Sequence, residues 1–246
     1  MKKNNLILSL VVSGAFMITF ISVGIQHSMG LYLIPITEYL QVGRETFGFA
    51  FAVSVFASGL GAFLFGGLSD KYGSGLAVFL GATIFVLSLI WFANVENKFD
   101  IIGSQILFGL GSAGVGASVV LGAVGRAARD ENRTFYLGVV MAGGSFGQFL
   151  ILPFATLLID WFGWSISIIY LSVISLIMII FAFALNYSGK SESSLAGTDQ
   201  SIKQALNEAF FNKSFIYLTV GFFVCGFHVT FVAVHLPAYI SDQNLP

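Results

Sequence analysis

The sequence predicts an all-α membrane protein, a bundle of about seven transmembrane helices. Three observations lead to this fold class: 57% of the 246 residues are apolar, only 9% are charged, and the mean hydropathy is +0.89. Soluble domains carry about 25% charged residues, so a soluble protein of this composition could not cover its surface. Lipid must therefore be the solvent for most of the side chains.

Seven apolar runs divide the chain, each close to the ~20 residues that a helix needs to cross a bilayer core. We call them spans 1 to 7, and they cover residues 6–35, 46–69, 76–95, 100–125, 134–159, 164–187 and 214–240. All 11 basic and 12 acidic residues lie in the connections or at their edges. The first run is longer than the core of a signal peptide, so it is interpreted as an uncleaved span.

The basic residues are distributed unequally between the two sides of the membrane. If the spans alternate in direction, only Arg44 and Lys98 lie on one side. The other side holds Lys2, Lys3, Lys71, Arg126, Arg129, Arg133, Lys190, Lys203 and Lys213. The positive-inside rule therefore predicts a cytoplasmic N-terminus in a multi-pass protein of the plasma (inner) membrane.

A charged stretch flanked by glycines separates spans 2 and 3, with the sequence Gly-Gly-Leu-Ser-Asp-Lys-Tyr-Gly-Ser at residues 66–74. An Asp-Lys pair is costly in hydrocarbon, so this loop must lie at a membrane surface. The pattern Gly-x-x-x-Asp-Lys-x-Gly between two spans resembles the loop between helices 2 and 3 of the major facilitator superfamily of secondary transporters. The resemblance implies a major-facilitator-type helical bundle, built as two six-helix halves.

The resemblance also implies a gate at this loop. Asp70 would accept hydrogen bonds at a helix end in the other half, and Gly66 and Gly73 would permit the close approach. Arg126 or Arg129, at the inner end of span 4, would supply a basic partner. The family's pattern continues with two basic residues after the second glycine; this chain has Ser74 and Gly75 there, so the electrostatic part of the gate is expected to be weak.

Three segments are expected from this resemblance. Residues 1–187 form a six-helix N-terminal half, 188–213 a cytoplasmic linker with an amphipathic helix, and 214–246 the seventh helix, which starts an incomplete second half. A faint repeat supports the division, because His27 in span 1 and His228 in span 7 are each followed by a proline eight or nine residues later. The chain is thus expected to be a fragment of a twelve-helix carrier whose C-terminal half is missing.

Several stretches narrow the branch of the family. Gly-Ile-Gln-His-Ser-Met-Gly-Leu-Tyr-Leu-Ile-Pro-Ile at 24–36 and Gly-Gly-Ser-Phe-Gly-Gln at 143–148 look like the bacterial monocarboxylate-transporter-like branch, related to oxalate/formate antiporters. Drug/proton antiporters carry an arginine in helix 4 where this chain has Gln105, so that activity is disfavoured. The resemblance implies that the cationic side chains that bind the carboxylate of the substrate come largely from the second half of the carrier.

Polar side chains inside the spans are the candidates for substrate binding, because such groups are costly in lipid and mark pathways or sites. The candidates are Gln26, His27, Gln105, Gln148 and His228. His235 shares a helix face with His228. The alternative for each is a hydrogen bond that holds neighbouring helices together. Because histidine titrates near neutrality, His27 or His228 is also a candidate for proton coupling.

Other chemistry has little support. Residues 109–114 match the dinucleotide pattern Gly-x-Gly-x-x-Gly, but they lie inside an apolar run and not between a strand and a helix, so helix packing is the favoured interpretation. The three histidines have no acidic neighbours at ligand spacing, so no metal site is expected. One cysteine excludes a disulfide framework. No cofactor and no enzyme activity are expected. No nucleic-acid partner is expected either, because the net charge is only −1.

The sequence thus predicts a secondary active transporter, an antiporter or symporter of a small mono- or dicarboxylate that works by alternating access. Its expected partners are the organic anion, protons or a counter-transported anion, and the lipid bilayer. Two alternatives stay open. A seven-helix receptor or sensor would have an external N-terminus, and a transport-inactive protein of the same fold would bind without flux.

Overall fold

The computed structural model describes residues 2–188, 208 and 211–243. Seven helical stretches among them are long and apolar enough to cross a membrane, which confirms the predicted number of spans. Span 1 consists of two helices and a 3₁₀ turn, and span 4 of two helices. The helices run Lys2–Ser28, Leu33–Leu40, Arg44–Tyr72, Ser74–Ala93, Lys98–Gly114, Ala117–Ala127, Arg133–Phe162, Trp164–Leu185 and Lys213–Asp242, with 3₁₀ turns at Met29–Tyr32, Asp130–Asn132 and Asn186–Ser188. The predicted amphipathic helix of the linker lies outside the described residues.

Single glycines join two pairs of consecutive helices. Gly73 has φ +101° between spans 2 and 3, and Gly163 has φ +81° between spans 5 and 6. Only a residue without a Cβ adopts these angles readily. The amide of Gly73 also donates to the carbonyl of Ser69 at 2.9 Å, which ends the span 2 helix. The connection is therefore short, and it fixes where Asp70 lies relative to span 3.

The six spans of the N-terminal part pack mainly through four contacts: span 1 with span 5, span 2 with span 4, span 3 with span 4, and span 3 with span 6. Glycines lie at the crossings. A Cβ on Gly147 of span 5 would overlap the carbonyl of Phe20 in span 1, and a Cβ on Gly109 of span 4 would overlap the carbonyl of Ser54 in span 2. Backbones approach closely in lipid through such small residues, because burial of apolar surface does not drive helix association there.

The glycines of residues 109–114 all contact neighbouring helices. Besides the contact of Gly109 with span 2, a Cβ on Gly111 would lie 2.5 Å from the amide nitrogen of Phe85 in span 3. A Cβ on Gly114 would lie 2.5 Å from the Cα of Gly81, also in span 3. The dinucleotide-like pattern thus occupies a helix-packing surface.

Span 7 packs mainly against the 3₁₀ turn of span 1 at Met29–Tyr32. Its described buried residues are Val234 and Ala238, near one end of the helix, while large apolar side chains such as Phe222 and Phe223 are exposed along the rest. The buried core comes mostly from spans 1, 3, 4 and 6. Span 7 is therefore attached to the six-span bundle near a single end.

The structure differs from the expected single helix in span 4, which stops at Gly114 and restarts at Ala117. Val115 and Gly116 interrupt it in the middle of the apolar run. Glycine is the residue that most weakens a helix apart from proline, and four glycines fall between residues 109 and 116. Hydropathy predicts the span but carries no signal for the interruption.

Candidate functional site

A cleft of about 440 Å³ lies between spans 1, 2, 4 and 5, at the middle of their length. None of the residues that line it is charged. Hydroxyl and amide groups provide its polar surface, from Thr19, Ser22, Gln26, Ser58, Ser112, Ser118, Ser145 and Gln148. A site of this kind can donate and accept hydrogen bonds without a fixed charge. Its wall is therefore suited to orienting a small polar solute.

Two of the predicted binding residues line this cleft, Gln26 from span 1 and Gln148 from span 5. They come together because their helices cross at glycines: a Cβ on Gly24 would lie 2.7 Å from the carbonyl oxygen of Gly147. Gln26 lies two residues beyond the first glycine and Gln148 directly after the second. The close crossing thus places two amide side chains, more than a hundred residues apart in sequence, in one cavity.

Gln105, the third predicted glutamine, lies outside the cleft. It is 1% exposed, and neither its Oε1 nor its Nε2 has a hydrogen-bond partner within the described part of the chain. It occupies the first helix of span 4, whereas the cleft is lined by the residues around the interruption. Its placement does not support direct contact with a ligand in the cleft.

The histidines are dispersed. His27 is half-buried in span 1 and does not line the cleft. His228 is exposed on span 7, with its Nδ1 3.0 Å from the carbonyl of Val224 in its own helix. His235 lines a separate apolar groove of about 490 Å³ between spans 2 and 7, with its ring 5.1 Å from that of Phe231. The structure brings none of the three together with Gln26 and Gln148.

The predicted gate residues Asp70 and Arg126 lie close together at one end of the bundle, here called the Asp70 end. An Nη of Arg126 is 3.7 Å from a carboxylate oxygen of Asp70. The same guanidinium donates to the hydroxyl of Ser69 at 3.2 Å and to that of Ser74, and the two hydroxyls lie 2.8 Å apart. Arg126 therefore ties the end of span 4 to the turn between spans 2 and 3.

The two glycines of the predicted gate differ in backbone conformation. Gly73 has the positive φ that no other residue adopts readily, and Gly66 lies inside the span 2 helix. A Cβ on either glycine would meet no atom within 4 Å. The close approach expected at Gly66 and Gly73 is thus not made by any described residue, and their function in a gate stays a prediction.

We expect Arg126→Met to destabilise the protein more than Asp70→Asn. The Arg126 side chain is 19% exposed and has three partners, and hydrogen bonds to charged groups contribute about 1.5–3 kcal/mol. Asp70 is 61% exposed, and exposed ion pairs contribute less than about 1 kcal/mol. Thermal melts of the purified variants would measure the difference. Equal losses of stability for the two variants would contradict this account of the network.

At the opposite end of span 2, here called the Arg44 end, a second ion pair joins spans 2 and 7. The guanidinium of Arg44 donates twice to the carboxylate of Asp242, once at 2.8 Å. Nine residues before Asp242, span 7 also contacts span 1, where a Cβ on Gly30 would overlap the carbonyl of Ala233. Contacts in the half of span 7 that ends at Asp242 therefore hold it to the bundle.

Sequence reasoning did not find the serines of the cleft or the Arg44–Asp242 pair. Ser58 and Ser118 belong to rows of small residues that recur every four positions in spans 2 and 4, but such rows are also typical of helix packing. The ion pair joins residues 198 positions apart, and local spacing gives no signal for it. Only the arrangement of spans 2 and 7 brings the two groups together.

A sequence model of the family described as Major Facilitator Superfamily matches residues 10–246. The chain belongs to this superfamily. The match covers nearly all of the sequence, and it confirms the resemblance first suggested by the loop at residues 66–74. As a member of the superfamily with seven apolar helices, the chain is a multi-pass membrane protein.

Among curated proteins, this major facilitator chain is similar to monocarboxylate transporter 11. It is 25% identical to the mouse protein over 240 residues, which cover 96% of this chain and 52% of that protein. The human protein is 28% identical over 171 residues, covering 68% of this chain and 35% of that one. A vesicular acetylcholine transporter of Tetronarce californica is 30% identical over 135 residues, covering 52% and 26%. The chain spans about half the length of the mouse protein, and less of the others.

The fold resembles a solved structure of the xylose transporter XylE from E. coli in its inward-open conformation. The TM-score is 0.59 at 14% sequence identity, and the similarity covers 97% of this chain and 56% of that one. At this identity the likeness shows the fold alone. It confirms the major-facilitator-type helical bundle that the sequence predicts.

Proposed function

We propose that this chain forms the cavity-bearing part of a secondary active transporter that moves a small mono- or dicarboxylate by alternating access. The uncharged cleft between spans 1, 2, 4 and 5 carries the proposal, because it offers amide and hydroxyl groups at mid-membrane depth in a superfamily of transporters. The carboxylate is suggested by the similarity to proteins named monocarboxylate transporter 11. Cations for that anion would come from a second half of the carrier.

The proposed orientation places the N-terminus and the Asp70 end in the cytoplasm, at the plasma membrane. The distribution of basic residues supports it. The contact between Asp70 and Arg126 would then stabilise closure on the cytoplasmic side, while Arg44 and Asp242 hold the opposite end of span 7. Alternating access would require each of these two contacts to be more stable in one state than in the other.

Uptake into proteoliposomes tests the proposal. Proteoliposomes that hold this chain together with the second half of the carrier should give saturable uptake of radiolabelled pyruvate or oxalate, which unlabelled carboxylates compete for and xylose does not. We expect Gln26→Leu and Gln148→Leu each to raise KM about 2- to 12-fold, since one hydrogen bond contributes roughly 0.5–1.5 kcal/mol. Each variant loses an amide that lines the cleft but keeps its approximate volume.

Gln105→Leu is the matched control, because it removes the same kind of side chain from a buried position outside the cleft. Its KM should stay within about twofold of the unchanged protein, since removing a lone unpaired amide leaves no partner exposed. If Gln105→Leu raises KM as much as Gln148→Leu does, the assignment of the cleft as the binding site is wrong. Saturable binding without flux would identify a transport-inactive protein.

A further inference from the structure

The interruption of span 4 creates a helix N-terminus in the middle of the span. The amides of Val119 and Val120 donate to the carbonyl of Gly116, at 3.2 and 3.1 Å, and begin the second helix of the span. The amides of Ala117 and Ser118, which precede them, are the first two of this helix and have no acceptor within it. The residue before them is Gly116, which has no side chain to cap the helix.

These two amides lie at the cleft. Gly116, Ala117 and Ser118 all line it, together with Gln26 and Gln148. Unpaired backbone amides cost several kcal/mol in hydrocarbon and are tolerated at membrane depth where they line a cavity that holds water or a ligand. The interruption therefore places the first amides of this helix at a polar cavity, where water or a ligand can bind them.

Ser112 gives an independent indication of a ligand. It is 5% exposed, it lines the same cleft, and its Oγ has no hydrogen-bond partner among the described residues. A serine inside a helix ordinarily donates to a carbonyl of the preceding turn. Ser88, Ser104 and Ser175 of this chain do so. A buried hydroxyl without such a bond is available for something that enters the cleft.

The electrostatic potential of the cleft favours an anion, although no charged side chain lines it. A helix carries about half a positive elementary charge at its N-terminus, and the second helix of span 4, Ala117–Ala127, directs that end at the cleft. No carboxylate lines the cleft, so nothing repels an anion, and no basic side chain competes with the amides. Amide and hydroxyl donors around an oxyanion are the arrangement found at helix N-termini that bind anions.

We propose that the interrupted span 4 is an anion-binding element of the carrier: the amides of Ala117 and Ser118 and the hydroxyl of Ser112 bind one carboxylate group of the substrate. The inference rests on the proposed transport function and specifies how the six-span part contributes to it. The six-span part binds the negatively charged carboxylate of the substrate through backbone dipoles instead of a basic side chain. Gln26 and Gln148 remain free to bind the rest of the solute.

Charge-selective labelling of a cysteine at position 118 tests the proposal without any need for transport. Cys225, the single native cysteine, is exposed and is replaced by serine. Ser118→Cys in that background is labelled with anionic and cationic methanethiosulfonate reagents of similar size, and so is Ser145→Cys. Ser145 lines the same cleft but belongs to span 5, not to the interrupted span 4. At each position, the labelling rate with the anionic reagent is divided by the rate with the cationic reagent. Comparing this ratio between positions 118 and 145 cancels the intrinsic reactivities of the two reagents.

We expect the ratio of anionic to cationic labelling to be about 2- to 30-fold higher at position 118 than at position 145, the range that helix-terminus electrostatics implies. Oxalate or pyruvate should slow the labelling of position 118, whereas xylose should not. Ser112→Ala should raise the concentration needed for half-protection about 2- to 12-fold. Ser104→Ala, whose hydroxyl bonds within its own helix, should not change it.

Equal ratios at the two positions, or labelling that carboxylates do not slow, would overturn the anion site. Flux of carboxylates in proteoliposomes is measured separately. If carboxylates are transported but the labelling of position 118 shows neither charge preference nor protection, the proposed transport function holds and this anion site is wrong. If carboxylates protect position 118 but are not transported, the anion site holds and the proposed transport function is wrong.

Discussion

Replacing Gly147 by alanine is expected to lower the melting temperature of the purified protein by roughly 2–12 °C. The added Cβ would overlap the backbone carbonyl of Phe20, where span 5 crosses span 1. A backbone carbonyl cannot rotate away as a flexible side chain can, so the two helices must separate. Overpacking of this kind costs about 1–3 kcal/mol. Helix propensity alone predicts the opposite sign, because alanine stabilises a helix by about 1 kcal/mol relative to glycine.

Gly138→Ala is the matched control for this substitution. Gly138 lies in the same helix, Arg133–Phe162, and a Cβ there would meet no atom within 4 Å. Its variant should melt at the same temperature as the unchanged protein or slightly above it. Differential scanning fluorimetry in detergent, with size-exclusion chromatography as a check on folding, would compare the two. If both substitutions stabilise the protein, spans 1 and 5 do not cross at Gly147 as closely as the structure has them.

The number of spans and the fold class could be predicted from the sequence, because lipid imposes a simple requirement on composition. Any helix that crosses the bilayer core must be apolar over about 20 residues, and charges are confined to the connections. The interpretation of residues 109–114 as a packing surface followed from the same requirement, and Gly109 and Gly114 contact spans 2 and 3 in the structure.

The candidate site could be predicted only in part, because it depends on how each helix is rotated about its axis. Gln105 and Gln148 are the same residue type, and each lies within an apolar run. The first is enclosed by packing and the second lines the cleft. A helix that contacts lipid on one side and protein on the other is apolar all round, so hydropathy does not indicate which of its faces contacts the protein. Glycine crossings decide which side chains meet, and they involve pairs of residues that are distant in sequence.

The interruption at Val115 and Gly116 had no sequence signal of its own. Apolar residues flank it on both sides, and its glycines resemble those that serve packing elsewhere in span 4. What distinguishes it is a helix N-terminus that lines the cleft, which only coordinates reveal. A cavity-lining function can thus lie in the backbone of a span whose side chains give no indication of it.

Gly30→Ala is expected to open the Arg44 end of the bundle. A Cβ on Gly30 would overlap the carbonyl of Ala233, so span 7 must move away from the 3₁₀ turn of span 1. Because overpacking costs about 1–3 kcal/mol, the open population should rise roughly 5- to 150-fold. Val234, next to Ala233, is 3% exposed. In a background without Cys225, the labelling rate of Val234→Cys by a polar maleimide should rise by a similar factor.

Gly48→Ala is the control at the same end, because a Cβ on Gly48 of span 2 would come no nearer than 3.8 Å to the ring of His235. That distance is an ordinary contact, so labelling of position 234 should be unchanged. In a complete carrier that alternates, a span 7 that cannot close at this end cannot complete the cycle, so Gly30→Ala should also reduce flux while the protein remains folded. Unchanged labelling in Gly30→Ala would mean that span 7 does not rest on span 1. Faster labelling with normal flux would mean that closure at this end is not part of transport.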